Sequence, residues 1–177
     1  MRWFWIDRYL EFISGSHAVA VKNVCLAEPY VLHYSRSFSS YPPSLIIEGM
    51  AQTGGLLVNQ AFEFKKKVVL AKLGKSIFHD WAFPGDQLIF RVEIQTVQSE
   101  GSMVTCECRR NGELLVEADM MFAYPEDEFA DKDFFEDSEL SPILRTLGIF
   151  DVGRNQDGTP IEIPEHFLQA EQNSLVQ

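Results

Sequence analysis

The fold is decided by one stretch of the sequence, Leu45-Ile46-Ile47-Glu48-Gly49-Met50-Ala51-Gln52-Thr53-Gly54-Gly55. It lies in a longer segment, residues 44–64, that places apolar residues on nearly every side of a helix. A helix that is apolar all round is typical of a protein core. Pro42 or Pro43 marks its start, because proline is well tolerated in the first helical turn. We therefore predict one long buried helix.

Glu48 is the only charged side chain between Arg36 and Glu63. Ser44 and Gly55 lie at helical spacing from it, so the surrounding surface is made of small residues that another group can approach closely. A carboxyl group that is partly removed from water has a raised pKa and can transfer protons near neutral pH. On residue type alone, a solvated or ion-paired glutamate at a helix edge is an equally good interpretation.

Strand-like segments flank the helix. Residues 4–13 and 17–25 precede it, joined by a Ser14-Gly15-Ser16 turn, and a loop follows from Ala27 to about Tyr41. Four more strands are predicted after the helix, at Val68–Phe78, Asp86–Gln98, Gly101–Asn111 and Glu113–Tyr124. The Asn-Gly pair between the last two is the strongest short hairpin signal. We predict an α+β protein in which an antiparallel sheet wraps around one long central helix.

The net charge of −11 belongs mostly to the C-terminal part. Residues 126–139 carry eight acidic side chains and one lysine. We divide the chain into a domain at residues 1–125 and an acidic C-terminal extension at 126–177, with a short amphipathic helix near 138–148. Beyond Gly148, the Asn155–Gly158 turn and the polar tail are expected to be irregular or disordered. Because residues 65–67 form the only basic run, we expect no nucleic-acid partner.

The cysteines and the hydropathy pattern indicate the compartment. Cys106 and Cys108 are two residues apart in a predicted strand and point the same way, which is poor geometry for a local disulfide. No apolar run is long enough to span a membrane, and residues 1–7 lack a secretory signal pattern. We expect a cytoplasmic protein with reduced thiols. Its four scattered histidines lack ligand spacing, so no metal site is predicted.

Several short stretches match the pattern of one family: Ile6-Asp7-Arg8, Asn23-Val24, Glu28-Pro29, Pro42, the helix stretch quoted above, and Pro84-Gly85-Asp86-Gln87-Leu88. Over residues 3–124 the chain resembles the 3-hydroxyacyl-ACP dehydratases of type II fatty acid synthesis. The spacing from Glu28 to Glu48 fits that family without a gap. The resemblance implies a hotdog fold, with the acidic extension added at its C-terminal end.

In function, the resemblance implies reversible dehydration of a 3-hydroxyacyl thioester. A histidine takes the proton alpha to the thioester, and the helix carboxylic acid, here Glu48, delivers a proton to the departing 3-hydroxyl. Backbone N–H groups at the helix start, near Pro43, Ser44 and Leu45, help to hold the thioester carbonyl. The family's two catalytic side chains come from different subunits. A homodimer or higher homo-oligomer is therefore implied, with ACP or acyl-CoA thioesters as partners and without a metal or organic cofactor.

The chain departs from the family at the catalytic histidine. In the gapless alignment Tyr34 occupies that position, and His33 falls one residue earlier, where the family has glycine. A tyrosine, with a reference pKa of about 10, is a poor base at neutral pH, whereas a histidine near about 6.5 is a good one. One possibility is that the loop shifts by one residue and presents His33 to Glu48 of the partner subunit. The other is that efficient dehydratase activity has been lost. Neighbouring side chains of an extended segment point in opposite directions, which favours the loss of dehydratase activity.

Three functions stay open. In the first, the chain is a 3-hydroxyacyl-ACP dehydratase that uses His33 and Glu48. In the second, it is a non-catalytic homologue that binds acyl thioesters or ACP. In the third, it is a hotdog acyl thioesterase. His79, beside Asp80 at the end of a predicted strand, is a weaker candidate base, and a surface histidine is the simpler interpretation there.

Overall fold

The computed structural model describes residues 4–33, 39–125 and 136–174 of the chain, without the side chains of residues 32 and 33. The first two ranges contain β1 (Arg8–Ile13), β2 (His17–Asn23), α1 (Pro29–His33), α2 (Pro43–Gln60), β3 (Val69–Phe78), β4 (Gln87–Val97), β5 (Gly101–Arg110) and β6 (Glu113–Ala123). The third range contains α3 (Asp137–Thr146), α4 (Ile149–Val152), β7 (Gly153–Arg154) and α5 (Glu165–Ser174).

The described strands form one sheet in the order β3-β6-β5-β4-β2-β1-β7. Neighbouring strands pair antiparallel, except that β7 runs parallel to β1. The β5–β6 hairpin turns at Asn111 and Gly112, whose φ angles of 53° and 85° are the left-handed values that an Asn-Gly turn requires. Alternate residues of β4, among them Leu88 and Phe90, are buried in the core. The predicted α+β architecture is confirmed.

Helix α2 packs with one side against the core of the sheet. Ile46, Met50 and Leu57 are at most 1% exposed on that side. On the other side, Ser44 and Glu48 are exposed. The prediction of a helix buried on every side is therefore wrong for the single chain, which leaves one helix face uncovered.

Two boundaries differ from the prediction. Helix α2 ends at Gln60 rather than near residue 64. Glu63 and Phe64 have φ angles of 54° and 61°, a left-handed conformation that a right-handed helix cannot continue. The predicted loop before α2 contains the short helix α1, which begins at Pro29, since the fixed φ of proline suits a first helical position.

The C-terminal extension folds against the edge of the sheet at β1. Strand β7 pairs with β1 at Phe12 and Ile13. The carbonyl oxygen of Leu147 accepts a hydrogen bond from the N–H of Tyr9 at 2.8 Å. These contacts satisfy backbone groups that an edge strand would otherwise leave unpaired.

Apolar side chains of the extension join the same core as the sheet and α2. Leu144, Ile149 and Phe167 are fully buried there. Helix α3 lies where residues 138–148 predicted a helix. The expectation of irregular structure after residue 148 holds for residues 155–164, but it is wrong for α4, β7 and α5. Burial of Ile149 and Phe167 supplies the stabilisation that the polar composition did not reveal. The division at residue 125 stays a prediction, because one core spans both parts.

Candidate active site

The start of α2 presents one backbone donor from the predicted substrate-binding trio. Pro43 has no N–H, and the N–H of Leu45 donates to the carbonyl oxygen of Pro42 at 2.9 Å. Ser44 is exposed, and its N–H belongs to the first turn of α2, where backbone donors have no partner within the helix. It lies at the positive end of the helix dipole, which favours negative charge on a bound oxygen atom.

Glu48 lies one turn after Ser44, on the same exposed side of α2. Of the two settings that the sequence left open for Glu48, the single chain shows the exposed one at a helix edge. Oε1 of Glu48 accepts a hydrogen bond from Nε2 of Gln52 at 3.1 Å. Oε1 of Gln52 in turn accepts one from the N–H of Trp5 at 2.8 Å. Neither Gln52 nor Trp5 was among the predicted site residues.

The segment that carries the two candidate bases is only partly described. His33 is the last residue of α1, and its side chain lies outside the described part of the chain. Tyr34, at the position of the family's histidine, also lies outside the described residues. The structure therefore places Glu48 on the same side of α2 as Ser44 at the helix start. The predicted role of His33 stays a prediction.

A polar network anchors the segment that leads into α1. Asp7 accepts hydrogen bonds from the backbone N–H of Asn23 at 2.8 Å and from its side-chain amide at 2.9 Å. The ammonium group of Lys22 lies 3.3 Å from Asp7 and 3.0 Å from Glu28. Burial acts to lower the pKa of Lys22, but the hydrogen bond to Glu28 and the charges of both carboxylates outweigh it and raise the pKa. Asp7, Asn23 and Glu28 belong to the stretches that resemble the family. Their contacts hold the backbone before α1 in place.

The β3–β4 loop is fixed beside the start of α2. The carbonyl oxygen of Ala82 accepts a hydrogen bond from the N–H of Tyr41 at 2.8 Å. Arg110 donates to the carbonyl oxygen of Trp81 at 2.6 Å and to the carboxylate of Asp80 at 2.7 Å. The N–H of Trp81 and the Arg110 guanidinium both bond to Asp80 and hold the pKa of its carboxyl group below the usual value. Two sequence-distant segments are thereby tied together next to the predicted site.

Other potential catalytic side chains have ordinary structural settings. Nε2 of His79 lies 3.4 Å from Glu117 on the neighbouring strand, which fits the surface interpretation. Burial raises the pKa of the Cys106 and Cys108 thiols to about 12. Because the thiolate is the reactive form of cysteine, these two thiols are poor nucleophiles. All three cysteines are free.

A cavity of about 1090 Å³ lies at the opposite end of α2. Its lining includes Asn59, Lys65, Lys66 and His166, and none of the predicted site residues. Within the ranges that the structure describes, no group of three or more His, Cys, Asp or Glu residues could hold a metal ion. In the same ranges, no helix combines the length and apolar character needed to cross a membrane.

The described site lies in the part of the chain that matches a known protein family. Residues 4–121 match the family described as FabA-like domain. The chain is 37% identical over 117 residues to the 3-hydroxyacyl-[acyl-carrier-protein] dehydratase FabZ of Lawsonia intracellularis, covering 64% of this chain and 76% of the relative. It is 35% identical over 119 residues to FabZ of Pelotomaculum thermopropionicum, covering 67% of this chain and 85% of the relative.

Solved structures show the same fold at low sequence identity. The dehydratase heterocomplex ApeI:P of Xenorhabdus doucetiae matches with a TM-score of 0.59 at 14% identity, over 79% of this chain and 88% of that chain. A Streptococcus mutans protein bound to acetyl CoA matches with a TM-score of 0.58 at 13% identity, over 71% of this chain and 93% of that chain. The predicted hotdog fold is confirmed.

Proposed function

Because the chain belongs to the FabA-like domain family, we propose that it dehydrates 3-hydroxyacyl thioesters carried on acyl carrier protein. The observation that carries this proposal is the pairing of two groups on one face of α2. The carboxyl group of Glu48 lies one turn from Ser44, at the positive end of the helix. The similarity to two FabZ dehydratases supports the same reaction.

Each group on this face has a role in the proposed reaction. The N–H of Ser44 and the helix dipole stabilise the negative charge that develops on the thioester carbonyl oxygen when the alpha proton leaves. Glu48 donates its proton to the 3-hydroxyl group as the carbon–oxygen bond breaks, so that water leaves. The electron pair of the alpha carbon–hydrogen bond becomes the new double bond of the enoyl thioester.

His33 is the proposed base for the alpha proton. An imidazole is mostly neutral at physiological pH and can accept a proton, whereas the phenol of Tyr34 would have to lose one first. The location of His33 at the end of α1 leaves the base and the acid on separate elements of the chain. We propose that they meet across a dimer interface, as the family resemblance implies.

The two edges of the sheet support a homodimer. Strand β7 covers the β1 edge, while β3 is the terminal strand at the other end. Leu70 and Leu73 on β3 are 40% and 42% exposed in the single chain. A second copy of the chain that pairs along β3 would satisfy its open backbone groups and bury these side chains. Acyl carrier protein is the proposed second partner.

A second candidate function rests on one specific observation, the tyrosine at the position of the family's histidine. If His33 does not reach the substrate, the domain retains Glu48 and the helix start but lacks a base. The chain would then bind acyl thioesters without turning them over.

The test is an assay of full-length protein with a 3-hydroxyacyl-ACP and with the corresponding enoyl-ACP, followed by mass spectrometry of the acyl chain. We expect loss of water from the first and gain of water by the second. The Glu48→Gln variant keeps the size of the side chain and loses the transferable proton, so we expect its rate to fall by about a hundredfold or more. Glu165→Gln, on α5, is the matched control and should keep the wild-type rate.

Two results would overturn the proposal. Release of free thiol with no change in hydration identifies a thioesterase. Binding of acyl-ACP without turnover, unchanged in Glu48→Gln, identifies the non-catalytic homologue. In that second case, a Tyr34→His variant that gains dehydratase activity would locate the lost function at the histidine position.

A further inference from the structure

The cavity of about 1090 Å³ beyond the end of α2 lies between the domain and the C-terminal extension. One wall comes from Asn59 and residues 64–69, and the other comes from the start of α3 and one face of α5. On α5 the lining residues His166, Ala170 and Ser174 are four residues apart, so they lie on the same side of the helix. A pocket of this size can hold an organic ligand.

Lys66 places a positive charge in the first wall. Its ammonium group lies 4.6 Å from the ring centre of Phe62 and 5.1 Å from that of Tyr124, over the ring faces. These cation–π contacts hold the ammonium group in position without neutralising its charge. Lys65 is different, because it pairs with the carboxylate of Glu63. Lys66 is therefore a positioned cation that can bind an anion in the cavity.

The first turn of α3 adds backbone donors to the second wall. Asp137 and Ser138 line the cavity, and their N–H groups belong to the first turn of a ten-residue helix, where backbone donors have no partner within the helix. Glu136, the N-cap residue, makes no side-chain capping hydrogen bond to them. The positive end of the α3 dipole and the ammonium group of Lys66 thus favour the same kind of ligand, an anion.

The charges of the lining favour a ligand with a single negative charge. The three lysines at residues 65–67 face the two carboxylates of Glu136 and Asp137, which leaves a balance of one positive charge. A phosphate group carries close to two negative charges at neutral pH. The lining can neutralise only one of them, and removing a dianion from water costs more free energy than removing a monoanion. A carboxylate is therefore the better match.

Apolar side chains and one amide complete the lining. Phe64, Val68, Leu140 and Ala170 give it an apolar surface that suits a hydrocarbon chain. The side-chain carbonyl oxygen of Asn59 is buried and has no hydrogen-bond partner among the described residues. Buried polar groups in proteins nearly always have a partner. Rotation of the amide exchanges its oxygen and nitrogen and gives a carboxylate one more donor.

We propose that this cavity binds an amphipathic monocarboxylate, with the dimensions of a medium-chain fatty acid anion. The carboxylate accepts hydrogen bonds from Lys66 and from the first turn of α3, and the chain packs against Phe64, Leu140 and Ala170. The inference goes beyond the proposed dehydratase function and does not depend on it, because binding is measured without turnover. It gives the C-terminal extension a role, since α3 and α5 supply one wall of the site.

The test is isothermal titration calorimetry of the full-length protein with decanoate, at concentrations where decanoate forms no micelles. We expect one decanoate to bind per chain. Decan-1-ol lacks the charge and acetate lacks the apolar chain, so each should bind at least about tenfold more weakly than decanoate. Decyl phosphate, which has the same chain and a second charge, should also bind more weakly.

Two substitutions change the cavity, and each has a matched control. Lys66→Gln removes the positioned charge and should weaken decanoate binding about tenfold or more. Arg91→Gln removes a positive charge from β4, outside the cavity, and should bind like the wild type. Ala170→Trp fills the cavity from α5 and should weaken binding at least as much, whereas Gln169→Trp adds the same ring at an exposed position of α5 outside the lining. The unfolding midpoint of each variant in urea is measured first.

Decanoate could also enter the proposed catalytic site, and Glu48→Gln separates the two locations. Binding that is weakened in Lys66→Gln and Ala170→Trp but unchanged in Glu48→Gln supports the proposal. Slower hydrogen–deuterium exchange in α3 and α5 on addition of decanoate should accompany it. Wild-type protein that binds no decanoate, or equal affinity in wild type and both cavity variants, overturns the proposal. So does a weakening in Glu48→Gln alone, or tighter binding of decan-1-ol or decyl phosphate.

Discussion

Gly49 lies where α2 packs tightly against the sheet. A Cβ atom at this position would lie 2.7 Å from the ring of Phe90 and 3.2 Å from the carbonyl oxygen of Trp5. We expect Gly49→Ala to destabilise the protein by about 1–3 kcal/mol, because the gain in helix propensity does not offset overpacking against a fully buried ring. Urea unfolding, followed by circular dichroism, measures the change.

Gly55 provides the matched control on the same helix. A Cβ atom there would be 3.4 Å from the ring of Phe122, an ordinary contact distance. Gly55→Ala should therefore leave stability unchanged or raise it by up to about 1 kcal/mol. Equal effects of the two substitutions would contradict the close packing described at Gly49. Partial recovery in the double variant Gly49→Ala, Phe90→Leu would identify the Phe90 ring as the clashing group.

At this scale the sequence predicts which residues matter better than it predicts what they touch. The isolated charge of Glu48 in an apolar helix was visible, and so was the position of Ser44 one turn before it. The contact of Gln52 with Glu48 was not, because the orientation of Gln52 depends on a hydrogen bond to Trp5, 47 residues away in sequence. No periodicity or composition reports a contact of that kind.

At the scale of elements, the C-terminal extension is held to the end of α2 by His166. Its Nδ1 lies 2.8 Å from a carboxylate oxygen of Asp137 on α3, and its Nε2 lies 2.9 Å from the carbonyl oxygen of Glu63. The neighbouring Phe167 packs on Phe64, with ring centroids 5.8 Å apart. One histidine thus links α5, α3 and the turn that follows α2.

We expect His166→Ala to destabilise the protein by about 1–2 kcal/mol, because it removes the polar contacts of the ring with Asp137 and with the carbonyl oxygen of Glu63. The loss should be local, with faster hydrogen–deuterium exchange in α5 and α3 than in β4 or β5. His79→Ala is the control, since the half-exposed pair of His79 with Glu117 should contribute little. Exchange in α5 that is the same in both variants would contradict the linking role of His166.

Regular elements were predictable because their hydrophobic periods extend over many residues. The strands and α2 appear close to their predicted positions. The end of α2 was missed because non-glycine residues, Glu63 and Phe64, adopt left-handed conformations there. The ordered elements of the extension after residue 148 were missed because their stability comes from a few buried side chains, such as Phe167, and from pairing with β1. Tertiary contacts determine both the end of α2 and the folding of the extension.

At the scale of the whole molecule, the proposed activity depends on more than one chain. The single chain leaves one face of α2 uncovered, with Ser44 and Glu48 exposed on it. Among the described strands, β7 covers the β1 edge of the sheet and β3 forms its other edge. We propose that a dimer brings a second copy of the α1 segment, with His33, to this face of α2. The sequence suggested this arrangement only through the family resemblance, since a single chain carries no direct signal of its partner.

The most direct measurement is the turnover of a mixed dimer that contains one His33→Ala chain and one Glu48→Gln chain, purified through two different affinity tags. Each single-variant dimer lacks one catalytic group in both sites and should be inactive. In the mixed dimer, one site combines both defects and the other is intact, so we predict about half of the wild-type rate. A mixed dimer as inactive as its parents, beside an active wild type, would contradict a site shared between subunits.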